Sequence, residues 1–251
     1  MFLNHCNITK PQMLNTLKDL IKKLPFDFTK NQAYDRQTSA IIKRVCKKDS
    51  NCLDIGCHKG EVLDIIVHHA PYGHHFGFEP IPSMYWNLAA KYANTNCTIH
   101  EVALSNKSGV SIFNHVVSNP AYSGLEKRTY DRPNEIDEQI EVKTEKLDLI
   151  FDNKTSIDLI KIDVEGGELN VLEGAIETIK RTKPVIIFEH GLGSSEFYDS
   201  SPEKVFALFS SLNYNISLMK CWLDDKGGFT LDEFKNQFYE KKNYYFIAYP
   251  K

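Results

Sequence analysis

Little in this sequence is extreme, and each thing it lacks closes a class of function. Thirty Lys and Arg stand against 33 Asp and Glu, so the 251 residues carry a net charge of only −3. That balance leaves no basic footprint of the kind a nucleic-acid-binding domain shows. Short pairs such as Lys22-Lys23, Lys47-Lys48 and Lys241-Lys242 read as solvated surface. No apolar run approaches the roughly 18 residues that a membrane-spanning helix needs. Asn4-His5-Cys6-Asn7 interrupts any apolar stretch near the start, so no secretory leader is read and a soluble, cytoplasmic protein is expected. The six cysteines, Cys6, Cys46, Cys52, Cys57, Cys97 and Cys221, contain no C-x-x-C pair, which argues against a structural zinc. In a chain of this size they read as reduced thiols rather than staples. Internal repeats and low-complexity segments are absent. What is present is ordinary: a 42% hydrophobic content, enough for the core of one α/β domain with a small appendage.

The most informative stretch is Asn51 to Pro80. Leu53 and Ile55 close a short buried strand, and Gly56 and Gly60 form a turn where missing side chains let backbone approach a ligand. Val62, Ile65, Ile66 and Ala70 then follow helical spacing. Phe76 and Phe78 alternate as a second strand, and Glu79-Pro80 ends it. Glu79 therefore lands at the carboxyl end of the sheet beside the glycine turn, the edge where ligands bind in open parallel sheets. A carboxylate about 20 residues past a glycine turn is placed to accept hydrogen bonds from a ribose diol. A dinucleotide site wants G-x-G-x-x-G and a pyrophosphate on the helix N-terminus. Here the pattern is Asp54-x-Gly56-x-x-x-Gly60, one glycine short and with an acid where a phosphate would be repelled. The match is to a phosphate-free nucleoside with a cationic end, S-adenosylmethionine. Cys57 sits in the same turn and is placed to line the pocket.

Before this stretch, residues 1–49 read as a helical cap. One helix is expected from Pro11 to Leu24, with Thr9 as N-cap, and a second from about Ala33 to Lys47. Tyr34 and Arg36 are within reach of the cleft, with surface contact the preferred reading. After it come a helix over Ile81 to Ala93 and a strand over Cys97 to Ala103. Residues 114–138 lose periodicity and read as a flap over the substrate, since a loop this long in a compact domain is usually functional or disordered. Tyr122, Ser123 and Arg128 are its candidate acceptor contacts.

The second informative stretch is Ile157 to Glu168. A central strand ends at Ile162, and Asp163 and Glu165 emerge at the ligand edge. Gly166-Gly167 leads into a helix carrying Leu169, Val171, Leu172 and Ile176, with Glu168 complementing its dipole. Lys161, inside the strand, reads as edge-facing or salt-bridged. Pro184 to Glu189 is the next strand and delivers Glu189 and His190 to the same edge. A helix over Ser201 to Leu212, a strand over Tyr214 to Met219, a helix near Leu231–Tyr239 and a final antiparallel strand over Tyr244 to Tyr249 complete the chain.

Together, Leu53-Asp54-Ile55-Gly56-Cys57-His58-Lys59-Gly60, Phe78-Glu79-Pro80, Ala103-Leu104-Ser105, Leu159 through Glu168, Leu172-Glu173-Gly174 and Glu189-His190 resemble the FkbM family of S-adenosylmethionine-dependent methyltransferases. His58 stands where that family commonly has Asn. The resemblance implies a Rossmann-like class I methyltransferase fold: a seven-stranded, mostly parallel sheet with an antiparallel last strand and helices on both faces. It also implies methyl transfer to an oxygen of a sugar or other small hydroxylated metabolite. The expected cofactor contacts are Asp54, Gly56, Cys57, His58, Gly60, Glu79, Pro80, Val102, Ala103 and Asp163. Val102 is expected to pack on the adenine, leaving Glu101 exposed. Acceleration should come mainly from holding the acceptor oxygen about 3–3.5 Å from the methyl carbon. A base for the acceptor proton adds about 10²–10⁴-fold. His190 is the first candidate, for its ordinary pKa of about 6.5, with Asp163 and Glu165 beside it. Carboxylate and imidazole ligands from Asp163, Glu165, Glu189 and His190 form a conceivable metal set, but no metal is expected. A nicotinamide dehydrogenase and a noncatalytic binding module of the same fold are the alternatives.

Overall fold

A computed structural model describes residues 29–130, 134–151 and 154–251. The helix expected at Pro11 to Leu24 and the thiol of Cys6 lie outside the described residues. The chain begins with α1 (Lys30–Val45), whose N-cap Thr29 exchanges reciprocal hydrogen bonds with Gln32, a capping box that satisfies two otherwise orphaned amides. Then follow β1 (Cys52–Ile55), α2 (Glu61–His69), β2 (His75–Phe78), α3 (Pro82–Tyr92) and β3 (Cys97–His100). Next are β4 (Ala103–Leu104), β5 (Gly109–Val116), β6 (Asp137–Glu145), β7 (Leu159–Ile162), α4 (Glu168–Glu173), α5 (Ile176–Thr182) and β8 (Val185–Glu189). The chain closes with α6 (Pro202–Ser211), β9 (Tyr214–Ser217), α7 (Met219–Leu223), α8 (Leu231–Tyr239) and β10 (Tyr245–Pro250).

Seven strands form one sheet in the order β3-β2-β1-β7-β8-β10-β9. The neighbours from β3 to β8 are parallel, and β10 runs antiparallel to both β8 and β9. Both faces are covered, so the central strands read as nearly continuous apolar runs. Alternation then sorts their side chains. Ile160, Ile162, Ile186, Phe188 and Phe246 join α4, α5, α6 and α8 in one core. Leu159, Ile187 and Ile247 join α1, α2 and α3 in the other. Tyr34, Ile41 and Ile42 of α1 belong to that second core, so α1 shares the sheet's own packing.

Three readings of local structure change. The strand expected to reach Ala103 stops at His100; Ala103 and Leu104 instead pair with Thr144 and Glu145 in a separate sheet of order β4-β6-β5. The flap is shorter than its sequence suggested, because β5 continues to Val116 and β6 starts at Asp137. Polar residues hid that pairing: Glu138 stands on the exposed side, and Asn114 is buried with its side-chain amide donating to the Tyr130 hydroxyl at 2.6 Å. Finally, the helix expected to run from Glu168 past Ile176 breaks at Gly174. An added Cβ there would lie 2.1 Å from the Ser105 carbonyl oxygen, so the backbone packs directly on the neighbouring loop. The short helix α7 had no expectation at all. Cys46, Cys52, Cys57, Cys97 and Cys221 are free, and no helix among the described residues is long and apolar enough to cross a membrane.

Candidate active site

The turn after β1 is built on two left-handed glycines, Gly56 (φ 77°) and Gly60 (φ 75°). Neither glycine's freedom is spent on open space. A Cβ on Gly56 would fall 1.9 Å from the Asp163 carbonyl oxygen, and one on Gly60 would fall 2.6 Å from the Tyr92 hydroxyl. The bare backbone of Gly56 therefore lets the ends of β1 and β7 touch. The amides of Gly56 and Cys57 both donate to the Phe78 carbonyl, at 3.0 and 3.1 Å, which fastens the turn to β2.

Glu79 completes that fastening. One carboxylate oxygen accepts from the His58 amide and the other from the Ile81 amide, each at 3.0 Å. Burial pushes its carboxyl up to about 7, against the pull of those two amides. A cavity of about 1020 Å³ opens at this sheet edge. Asp54, Gly56, Cys57, His58, Glu79, Pro80, Val102, Ala103 and Asp163 all line it, while Gly60 does not and acts through the turn.

The acidic end of the cavity follows from strand register. Asp54 of β1 is opposite Lys161 of β7, and Glu189 of β8 is opposite Tyr245 of β10. Ile162 pairs with Phe188, so Asp163 and Glu189 leave the sheet side by side. Alternation puts all of these side chains on one face. Lys161, buried on a central strand rather than edge-facing, donates to Asp163 at 2.9 Å and stands 3.8 Å from Asp54. The Tyr245 hydroxyl also donates to Asp163. Burial alone would raise the Asp163 carboxyl, but Lys161 and Tyr245 hold it below the usual range. Asp54 is less well served: neither oxygen has a hydrogen-bond partner, and burial lifts its carboxyl to about 6. Carboxylate oxygens of Asp163, Glu165 and Glu189 all lie within 4.8 Å of one another. Burial and the charge of Asp163 push Glu165 up to about 8. Burial, Glu165 and Asp163 raise Glu189 well above its ordinary value.

His190 requires a correction. It follows Glu189 on the strand, so its ring points to the other face. It is fully buried and stacks on Phe234 and Phe238, with centroids 5.9 and 4.7 Å away. Its Nδ1 meets the Ser195 hydroxyl at 3.2 Å, and burial lowers its pKa to about 4. It belongs to the core, outside the acidic trio.

Tyr122, Ser123 and Arg128 do reach the cavity. Ser123 holds the flap closed on itself, accepting from the Val116 amide at 2.9 Å. Arg128 lies 5.0 Å over the Tyr122 ring and pairs with Glu165. Tyr34, read as surface, is buried in the cavity wall; its hydroxyl donates to Asn243 at 3.0 Å. Asn243 and Tyr244 also line the cavity and were not singled out. No local pattern marks them, because a contact between positions 34 and 243 exists only once the chain is folded.

The strand order, the antiparallel β10 and the glycine-turn cleft define a class I methyltransferase fold. The chain belongs to the FkbM family: the methyltransferase FkbM domain model matches residues 54–216. Methyltransferase FkbM from Methylobacillus flagellatus KT is similar in structure, with a TM-score of 0.50 and 17% identity over 81% of this chain and 44% of that one. This chain therefore spans less than half of that protein. The fibrillarin pre-rRNA processing protein of Methanococcus jannaschii aligns at 16% identity over 85% of this chain and 74% of that one, with a TM-score of 0.45. The plantazolicin methyltransferase BpumL, solved with SAH, aligns at 12% identity over 96% and 91%, with a TM-score of 0.41. No curated protein matches the sequence.

Membership implies S-adenosylmethionine as cofactor, and the donor set fits it. The carboxylates of Asp54, Glu79, Asp163, Glu165 and Glu189 line the cavity, and neither Asp54 oxygen has a hydrogen-bond partner there. That is a poor setting for a pyrophosphate and a suitable one for a diol and a cation.

Proposed function

We propose that this chain is an S-adenosylmethionine-dependent methyltransferase acting on an oxygen of a small hydroxylated acceptor, sugars included. The supporting observation is that Glu79 and the trio Asp163, Glu165 and Glu189 share one cavity. Glu79 would hold the ribose, with Asp54, the Gly56–His58 turn and Pro80 around it and Val102 and Ala103 against the base. When bound, the cofactor supplies an activated methyl group. The chain's own work is to position the acceptor, exclude water and take up one proton. Asp163, kept charged by Lys161 and Tyr245, would orient the cofactor's amine or the acceptor. Tyr122 and Arg128 of the flap, with Tyr34, Tyr244 and Asn243 of the same cavity lining, would form the acceptor wall; aromatic rings beside a side-chain amide suit a polyhydroxylated molecule.

Calorimetry with S-adenosylhomocysteine tests the cofactor site. Transfer from a labelled methyl donor to a panel of sugars and small hydroxylated metabolites tests the reaction. Binding without transfer to any acceptor would favour a noncatalytic module, and preference for a nicotinamide dinucleotide would refute the reading.

A further inference from the structure

We propose that Glu189 is the base for the acceptor hydroxyl, carrying a proton shared with Asp163 until the cofactor's positive charge displaces it. This rests on the cofactor reading above. Of the two polar residues that end β8, only Glu189 faces the cavity; His190 is sealed in the core. A carboxylate oxygen of Glu189 lies within 4.8 Å of one of Asp163, whose hydrogen-bond donors are Lys161 and Tyr245.

Burial first, and then the charges facing Glu189, favour its protonated form. Asp163, Glu165 and Glu168 approach from β7 and the start of α4, all disfavouring a further negative charge. Lys161 is nearby, but it is engaged by Asp163 and Asp54. Tyr34 of α1 and Tyr244 and Tyr245 at β10 supply hydroxyls and no cation. Glu165 differs in having a cation of the chain, Arg128, paired with it. Among the described residues Glu189 is thus the member of the trio with no cation of the chain paired to it, the place a cation from outside would fill.

The cycle closes in protons and electrons. Cofactor binding drives the Glu189 proton to solvent. The acceptor oxygen then gives its proton to Glu189 and bonds the methyl carbon, while the electron pair of the broken carbon–sulfur bond stays on sulfur. The neutral thioether product leaves Glu189 protonated, as it began.

The test compares S-adenosylmethionine with S-adenosylhomocysteine by calorimetry in buffers of different ionisation enthalpy. At about pH 6.5 the free amines of both ligands are protonated. The charged ligand should release up to about one proton more than the neutral one. Glu189→Gln should abolish that difference, and His190→Asn, in the core, should keep it. ¹³C-carboxyl spectra of glutamate-labelled wild type read the same ionisation if the variant does not fold. Equal proton release by the two ligands, or a difference that survives Glu189→Gln, overturns the proposal. No heat with either ligand from folded protein removes the cofactor reading itself, a distinguishable failure that takes this proposal with it.

Discussion

Lys161→Met should destabilise the protein, and do so more at high pH than at low. The Lys161 side chain is 9% exposed and lies between two acids, Asp163 at 2.9 Å and Asp54 at 3.8 Å. Met fills much of its volume but leaves both carboxylates without their cation. Removing one partner of a buried ion pair typically costs about 3–5 kcal/mol. At about 2–4 °C per kcal/mol for a chain of this size, the melting temperature should fall by roughly 10 °C. The pH dependence follows from Asp54, whose carboxyl sits at about 6 even beside Lys161. A carboxyl raised above its unfolded value of about 3.9 binds its proton more tightly when folded, so stability falls as pH climbs between the two values. In the wild type that window runs from about 4 to about 6. Without Lys161 its upper end moves higher, so the gap between variant and wild type should widen from about pH 5 to about pH 8. Thermal denaturation at those two pH values decides it. A shift under about 2 °C at the higher pH, or one of equal size at both, would refute the reasoning. Adding Asp54→Asn should restore part of the loss at high pH.

Glu79→Gln should weaken S-adenosylhomocysteine binding about tenfold or more, since a charged acceptor is lost from a buried diol contact; unchanged affinity by calorimetry would move the ribose elsewhere. His190→Asn should lower the melting temperature through the lost Phe234 and Phe238 stacking while leaving that affinity within about twofold. Gly56→Ala should cost both stability and binding, because its Cβ would strike the Asp163 carbonyl oxygen at 1.9 Å; a soluble variant with wild-type melting and affinity would show that the turn is free. Arg128→Ala should leave S-adenosylhomocysteine binding intact yet speed proteolytic cleavage in the flap, read by limited digestion.

Much of the fold was legible because its signals are local. The helix start at Ser201, the alternation at Phe76 and Phe78 and the helical spacing after Gly60 each depend on neighbours a few positions away. The same holds for Glu79 and for the exit of Asp163 and Glu165 from β7. What was misread depended on packing. The strand after Cys97 divides at His100 because Ala103 pairs with Thr144. The break at Gly174 reflects contact with Ser105. Tyr34 enters the cavity only because β10 brings Asn243 to it.

Sequence alone determined which chemistry lies at the sheet edge: an acid after β2, acids after β7, and an acid beside an imidazole after β8. Only the tertiary structure decided which of that last pair meets the cavity. The reason is the two-residue period of a strand with both faces buried. One neighbour must go to the cleft and the other to the core, and here the pairing with β10 and the aromatic layer of α8 sends the imidazole inward.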